Sequence, residues 1–114
     1  MSIFSRFFST SIRVYIDKTC IADSEDAFCH GGRWYFPAAD IDKHYFSQKG
    51  ETNTCVWKGD YIYFDITVGD KVWENIAWSY FETKDPGLKI KDHITFDDRV
   101  KVQKEVRWLP KMRT

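Results

Sequence analysis

The chain has 114 residues, 43% of them apolar and 18% aromatic, and Lys plus Arg balance Asp plus Glu at 17 each. That length makes one domain that buries one core without staples. Charge neutrality gives no nucleic-acid footprint, which needs a clustered basic surface, and no apolar run approaches the ~20 residues that span a bilayer. Three cysteines, Cys20, Cys29 and Cys55, are an odd count without close pairing. They argue against a secreted disulfide scaffold and for reduced thiols inside the cell.

Residues 1–12, "MSIFSRFFSTSI", carry serines, a threonine and Arg6 but no acid. They read as a short targeting or disordered arm, or as a first strand, so the compartment is cytoplasmic with mitochondrial import as the alternative. Residues 13–105 then form a single β-domain. "RVYIDKTCIAD" reads as a hairpin turning at Asp17-Lys18, and "SEDAF" as a polar connection. Gly31-Gly32 marks a turn into a strand over Arg33 to Phe36, which Pro37 ends because it has no N–H for the ladder. "AADIDKHYF" reads as one or two helical turns with Asp40 as N-cap. "SQKGETN" reads as a loop.

The strongest pattern follows. Ile62, Phe64, Ile66 and Val68 alternate with Tyr61, Tyr63, Asp65 and Thr67, which is the period of a strand. Gly69-Asp70 is a two-residue hairpin signal, and Lys71 to Phe81 returns. Counting outward from the turn sets Ile66 opposite Trp73, Phe64 opposite Asn75, Ile62 opposite Ala77, Tyr63 opposite Ile76 and Tyr61 opposite Trp78. It also sets Asp65 against Glu74, an unfavourable like-charge pair. That pair predicts either strong solvation or a bulge that shifts the register. Asp85-Pro86-Gly87 is a turn signal, "LKIKDHITF" and "RVKVQKEV" read as extended, and residues 106–114 as a basic tail. Short strands at close spacing with at most one short helix make a mainly β fold, a compact barrel or folded sheet.

Tyr35-Phe36-Pro37, Thr54-Cys55-x-Trp57-Lys58-Gly59, Tyr63, Asn75-x-Ala77-Trp78-Ser79-Tyr80, Pro86 and Ile90-x-x-His93-x-x-Phe96 occur in this order. Together, over about Arg13 to Glu105, they resemble the domain of unknown function 427 family, sometimes labelled nucleotidyltransferase-like. The resemblance implies a β-tent-like fold, similar to the methionine sulfoxide reductase B type and the thalidomide-binding domain of cereblon. Many members of that group hold zinc through two Cys-x-x-Cys pairs. This chain has none, and Lys58 stands where the partner of Cys55 would be. An ammonium cannot ligate zinc, so the resemblance implies a metal-free relative without cofactors. Asp97 after Phe96 and Trp57 before Lys58 depart from the family pattern at wall positions, which implies a different ligand preference.

The residues themselves offer several constellations. Cys55 and Lys58 place a thiol and an ammonium on one rim, where lysine lowers the thiol pKa and grips an anion. The bland alternative is a buried cysteine, a snorkelling lysine and a glycine for a bend. Tyr35, Trp57, Trp78 and Tyr80 are candidate walls of an aromatic pocket anchored by Lys58, with Arg33 at its edge. A plain aromatic core is the alternative for any single ring. His93 is a candidate acid/base without a partner, because Asp92 points to the opposite face of an extended strand. Gly31-Gly32-Arg33 lacks the context of a phosphate loop.

These features favour a small intracellular β-domain that binds a small molecule or modified residue in an aromatic pocket. The alternatives are an enzyme acting on a nucleotide-like or redox substrate through Lys58, His93 or Cys55, and an interaction module with an exposed edge strand. No carboxylate pair suited to metal-assisted nucleotidyl transfer is evident.

Overall fold

The structure, a computed structural model, describes residues 8–85 and 88–108. Nine strands lie in two antiparallel sheets: β1 (Phe8–Ile16), β2 (Thr19–Ser24), β3 (Phe28–His30), β4 (Arg33–Pro37), β5 (Phe46–Cys55), β6 (Gly59–Val68), β7 (Lys71–Thr83), β8 (His93–Phe96) and β9 (Lys101–Trp108). The smaller sheet runs β2-β1-β9 and the larger β3-β4-β8-β7-β6-β5. Neither closes into a barrel among the described residues, so of the two mainly β forms expected the folded pair of sheets is the one adopted.

The expected hairpins form. Asp17 takes a left-handed φ of 54° in the β1–β2 turn, a conformation that short polar side chains tolerate. Beyond it, Val14 pairs with Ala22 on one side and with Val102 of β9 on the other. Ile12, Val14, Ile16, Ile21 and Ala22 bury against Phe36, Ile66, Ile76, Ala77, Ile94 and Phe96 of the larger sheet. Fully burying each such large side chain stabilises by roughly 1.5–3 kcal/mol, so this inter-sheet layer is the main core.

The β6–β7 hairpin turns at Gly69, with φ 61°, and Ile66 pairs with Trp73 as expected. Further out, Phe64 pairs with Ala77, Ile62 with Ser79, Tyr63 with Trp78 and Tyr61 with Tyr80. The register has moved because a bulge stands at the opposed acids. Asn75 adopts φ 53° and its N–H donates to Asp65 Oδ1 at 2.8 Å. Lys49 Nζ reaches Asp65 Oδ2 at 3.1 Å and Glu74 Oε1 at 3.6 Å. From Phe64 to Tyr61 the shift is by two residues, so Ala77, Trp78, Ser79 and Tyr80 keep the faces that simple alternation assigns to them, whereas Ile76 at the bulge turns into the inter-sheet core.

Three local expectations are corrected. "SQKGETN" is not a free loop: it belongs to the edge strand β5, with an irregularity between Gln48 and Thr52. "AADIDKHYF" forms two 3-10 turns, Ala38–Asp40 and Lys43–Tyr45, and the cap is Asp42, which accepts from the His44 N–H. Asp40 accepts from the Ser24 hydroxyl at 2.5 Å instead. In "LKIKDHITF" only His93 to Phe96 is strand. Asp92 at φ 61°, with His93 N–H donating to the Ile90 carbonyl at 3.0 Å, turns the preceding segment across the sheet. Pro86 and Gly87 of the predicted turn lie outside the described residues.

Candidate functional site

Strand alternation divides the larger sheet chemically. One face carries Phe36, Ile94, Phe96, Ala77 and Phe64 into the inter-sheet core. Cross-strand pairing puts Phe28 beside Tyr35, Trp78 beside Thr95, and Tyr61 and Tyr63 beside Tyr80 and Trp78 on the other face. Because Asp92 turns the chain, Ile90 and Leu88 fold onto this second face and pack with Tyr35 and Tyr80, with Phe28, Cys55, Tyr61 and Trp78 around them. The result is a second small core built from rings.

Cys55 and Lys58 stand at its edge. Cys55 pairs with Gly59 across the β5–β6 turn, so Val56, Trp57 and Lys58 are the hairpin tip. Gly59 has φ 129° and lies under β7: a Cβ there would collide with the Glu82 carbonyl oxygen and sit 2.9 Å from Thr83 Cα. Glycine at this position is therefore obligatory, because the two backbones touch. The tight tip folds its own N–H groups back onto the cysteine. The backbone N–H groups of Lys58 and Trp57, the Tyr80 hydroxyl and the Lys58 ammonium are the groups around the sulfur that favour its ionised form. Together these hold the thiol below its ordinary pKa. Donors aimed at sulfur favour the thiolate, the nucleophilic form.

The expected wall residues separate by exposure. Tyr35 is 0% exposed and Tyr80 5%, whereas Trp57 is 85% exposed at the hairpin tip. Lys58 Nζ lies 5.9 Å from the Tyr80 ring centroid, within reach of a cation–π interaction. Burial, and then the charge of Cys55, push the Tyr80 phenol well above its ordinary pKa. Burial likewise raises Tyr35. The Tyr35 hydroxyl is buried and has no hydrogen-bond partner among the described residues, which costs about 1–3 kcal/mol.

Arg33 and Trp78 sit further along the same face. The Arg33 guanidinium lies 5.0 Å from the Trp78 ring centroid and donates to the Phe96 carbonyl at 2.8 Å. It thus clips β4 to the end of β8 while covering the indole. The His93 ring meets Phe28 edge-on at 5.2 Å. Its Nδ1 is 2.8 Å from the Lys91 carbonyl; a carbonyl only accepts, so Nδ1 carries the proton. The Lys91 backbone orients this histidine, not Asp92. Among the described residues no three His, Cys, Asp or Glu converge to hold a metal ion, and no helix is long and apolar enough to cross a membrane.

A family model described as a domain of unknown function, DUF427, matches residues 6–107. The chain belongs to the DUF427 family. No curated protein matches it.

In this DUF427 domain the motif residues converge in space from four strands. Cys55 and Lys58 come from the β5–β6 tip, Tyr35 from β4, Tyr80 from β7 and His93 from the start of β8. Two participants escape a motif reading. Phe28 stacks on Tyr35 at 5.9 Å, a pairing readable by counting outward from Gly31-Gly32. Ile90 closes the ring cluster only because the chain turns at Asp92, and no local pattern announces that. A cavity of about 440 Å³ also opens on the opposite face, where small Ser79 sits between Ile62 and Ile94, lined besides by Phe64, Phe81 and Asp92. The signal for it is the lone hydroxyl in the alternation Ala77-Ser79-Phe81.

Proposed function

We propose that the DUF427 domain binds a planar, anionic small molecule at the edge of its aromatic face, between the β5–β6 tip and Trp78. The observation that carries this reading is Lys58. Among the described residues its ammonium has no carboxylate within ion-pair distance, yet the tip holds it over the Tyr80 ring. A cation positioned over an aromatic ring and left without a carboxylate partner suits a ligand carboxylate or phosphate. Trp57, exposed beside it, and the half-buried Trp78, Tyr61 and Tyr63 offer flat apolar surface to the ligand's ring. Tyr35 and Tyr80 form the floor rather than the walls. Arg33 covers the Trp78 end, where it is already paired with Asp98 at 3.7 Å, so Lys58 remains the anion anchor.

The test is a thermal-shift screen of aromatic carboxylates, nucleoside monophosphates and their uncharged analogues on wild type, Lys58→Ala and Trp57→Ala. One anionic class should raise the wild-type melting temperature by several degrees. Both variants should lose most of that gain, and the uncharged analogues should give none. Equal stabilisation of wild type and Lys58→Ala, or no stabilising class, would sink the reading.

A further inference from the structure

We propose that Cys55 is a peroxide-reactive thiol, oxidised to a sulfenic acid whose new oxygen is received by the hydroxyls of Tyr35 and Tyr80. This goes beyond the ligand reading and needs no ligand.

Two independent observations meet here. The first is the place of the sulfur. Half-buried Cys55 closes the three-residue β5–β6 tip and packs on the cluster of Tyr35 and Tyr80, and the Lys58 ammonium of the same tip lies 5.9 Å from the Tyr80 ring centroid. The turn's N–H groups, the Tyr80 hydroxyl and the ammonium therefore lower the thiol's pKa. That is a setting for a thiolate, and thiolates react with peroxides far faster than thiols do. The second is the Tyr35 hydroxyl, a fully buried donor with no partner among the described residues. It belongs to the same cluster as Cys55 and Tyr80, near enough for the charge of Cys55 to act on it. A buried donor left unpaired beside a nucleophile suits an acceptor that arrives with the reaction. The acceptor must be small, since the Tyr35 hydroxyl has no solvent-exposed surface. One oxygen atom added to the sulfur meets that condition.

The step balances simply. The Cys55 thiolate attacks one oxygen of hydrogen peroxide; the S–O bond forms as the O–O bond breaks. The attacked oxygen keeps its hydrogen, giving Cys–S–OH, and the other leaves as hydroxide, which is neutralised in solvent by the proton that the thiol released on ionising. Sulfur loses two electrons and the peroxide gains them. The ionisable groups facing the sulfur are Lys58, Tyr80 on β7, Tyr35 on β4 and Tyr61 on β6. The phenols are held in their protonated form, so they donate rather than compete for the proton.

The protein contains its own references: Cys29 is exposed and Cys20 half-buried, and burial raises the thiol of Cys20. Full-length protein is treated with hydrogen peroxide in the presence of dimedone, and each cysteine peptide is quantified by mass spectrometry. Cys55 should carry roughly ten times the adduct of Cys29 at pH 7, although Cys29 is the more exposed thiol. Tyr35→Phe should reduce the Cys55 adduct several-fold while leaving its alkylation by iodoacetamide unchanged, because Tyr35 serves the oxygen and not the sulfur. Adduct on Cys29 equal to or above that on Cys55, or none on Cys55, would overturn the proposal. So would an unchanged Cys55 adduct in Tyr35→Phe. The wild-type comparison uses one folded molecule and does not depend on how the variant folds.

Discussion

The backbone N–H of Asn75 donates to the carboxylate of Asp65 at 2.8 Å. This bond resolves a conflict written into the β6–β7 hairpin, where simple pairing would press Asp65 against Glu74. The strand bulges instead, and the carboxylate spends itself on an N–H that the bulge frees. Asp65→Ala should therefore cost about 1.5–3 kcal/mol in urea denaturation. Asn75→Gly should be neutral or slightly stabilising because φ is already positive, whereas Asn75→Val should be strongly destabilising at that backbone angle.

Gly59→Ala should be among the most damaging single changes in the chain. Its Cβ would meet the Glu82 carbonyl oxygen and Thr83 Cα, both backbone, so no side chain can yield. The expected loss is at least about 2 kcal/mol, read as a lowered urea midpoint. Chemical shifts of β5, β6 and β7 amides should move with it.

Tyr35→Phe removes a hydroxyl that has no partner while keeping the ring. The variant should be as stable as wild type, or more stable by about 1 kcal/mol, by thermal or urea unfolding. Destabilisation by more than that would mean the hydroxyl is satisfied in solution. Tyr80→Phe differs, since its hydroxyl serves the Cys55 sulfur: it should raise the pH at which Cys55 alkylates.

Tyrosine titration should be split. Burial raises Tyr35 and Tyr80, and a hydrogen bond to Tyr63 followed by burial raises Tyr61. These groups hold their protons more tightly folded than unfolded. Their contribution is thus complete below the unfolded tyrosine pKa of about 10 and is lost as pH rises above it. Absorbance at 295 nm should show part of the phenol signal appearing late and together with loss of structure. Tyr80→Phe should remove a share of that late phase.

Cys55 has the opposite sign. Its pKa is lowered on folding, chiefly by the Lys58 and Trp57 N–H groups. Its contribution is present above the unfolded thiol pKa and lost as pH falls through the folded value. Cys55→Ser should consequently lose more stability, relative to wild type, at pH 9 than at pH 6.

Much of this architecture is legible in the residues. The alternation from Tyr61 to Val68, the turn residues at Asp17, Gly31-Gly32 and Gly69, and the clash of Asp65 with Glu74 foretell strands, hairpins and a bulge. Each is a local consequence of side-chain period, positive φ or like charge. The ordered motifs from Tyr35 to Phe96 also identify the DUF427 family. Three things resisted. β5 hides in "SQKGETN", because an edge strand pairs through its backbone on one side and needs no apolar alternation. Asp42 replaces Asp40 as cap, because Asp40 is claimed by Ser24 from a distant strand. The turn at Asp92 interrupts an apparently extended run.

That last turn decides the site. Sequence alone picked out the candidate residues: Cys55, Lys58, Tyr35, Tyr80, Trp57, Trp78, Arg33 and His93 stand out by type and motif. Only tertiary structure decided their roles. Burial and hydrogen bonding depend on which distant strand arrives beside a residue, and alternation within one strand is blind to that. Tyr35 and Tyr80 became floor because Ile90 folds onto them. Val56 and Trp57 stayed open because a three-residue tip cannot bury itself, while Lys58 is half-buried beside the Tyr80 ring. The Cys55 thiol is held below its ordinary pKa because the N–H groups of that same tip and a tyrosine hydroxyl brought by β7 favour its ionised form.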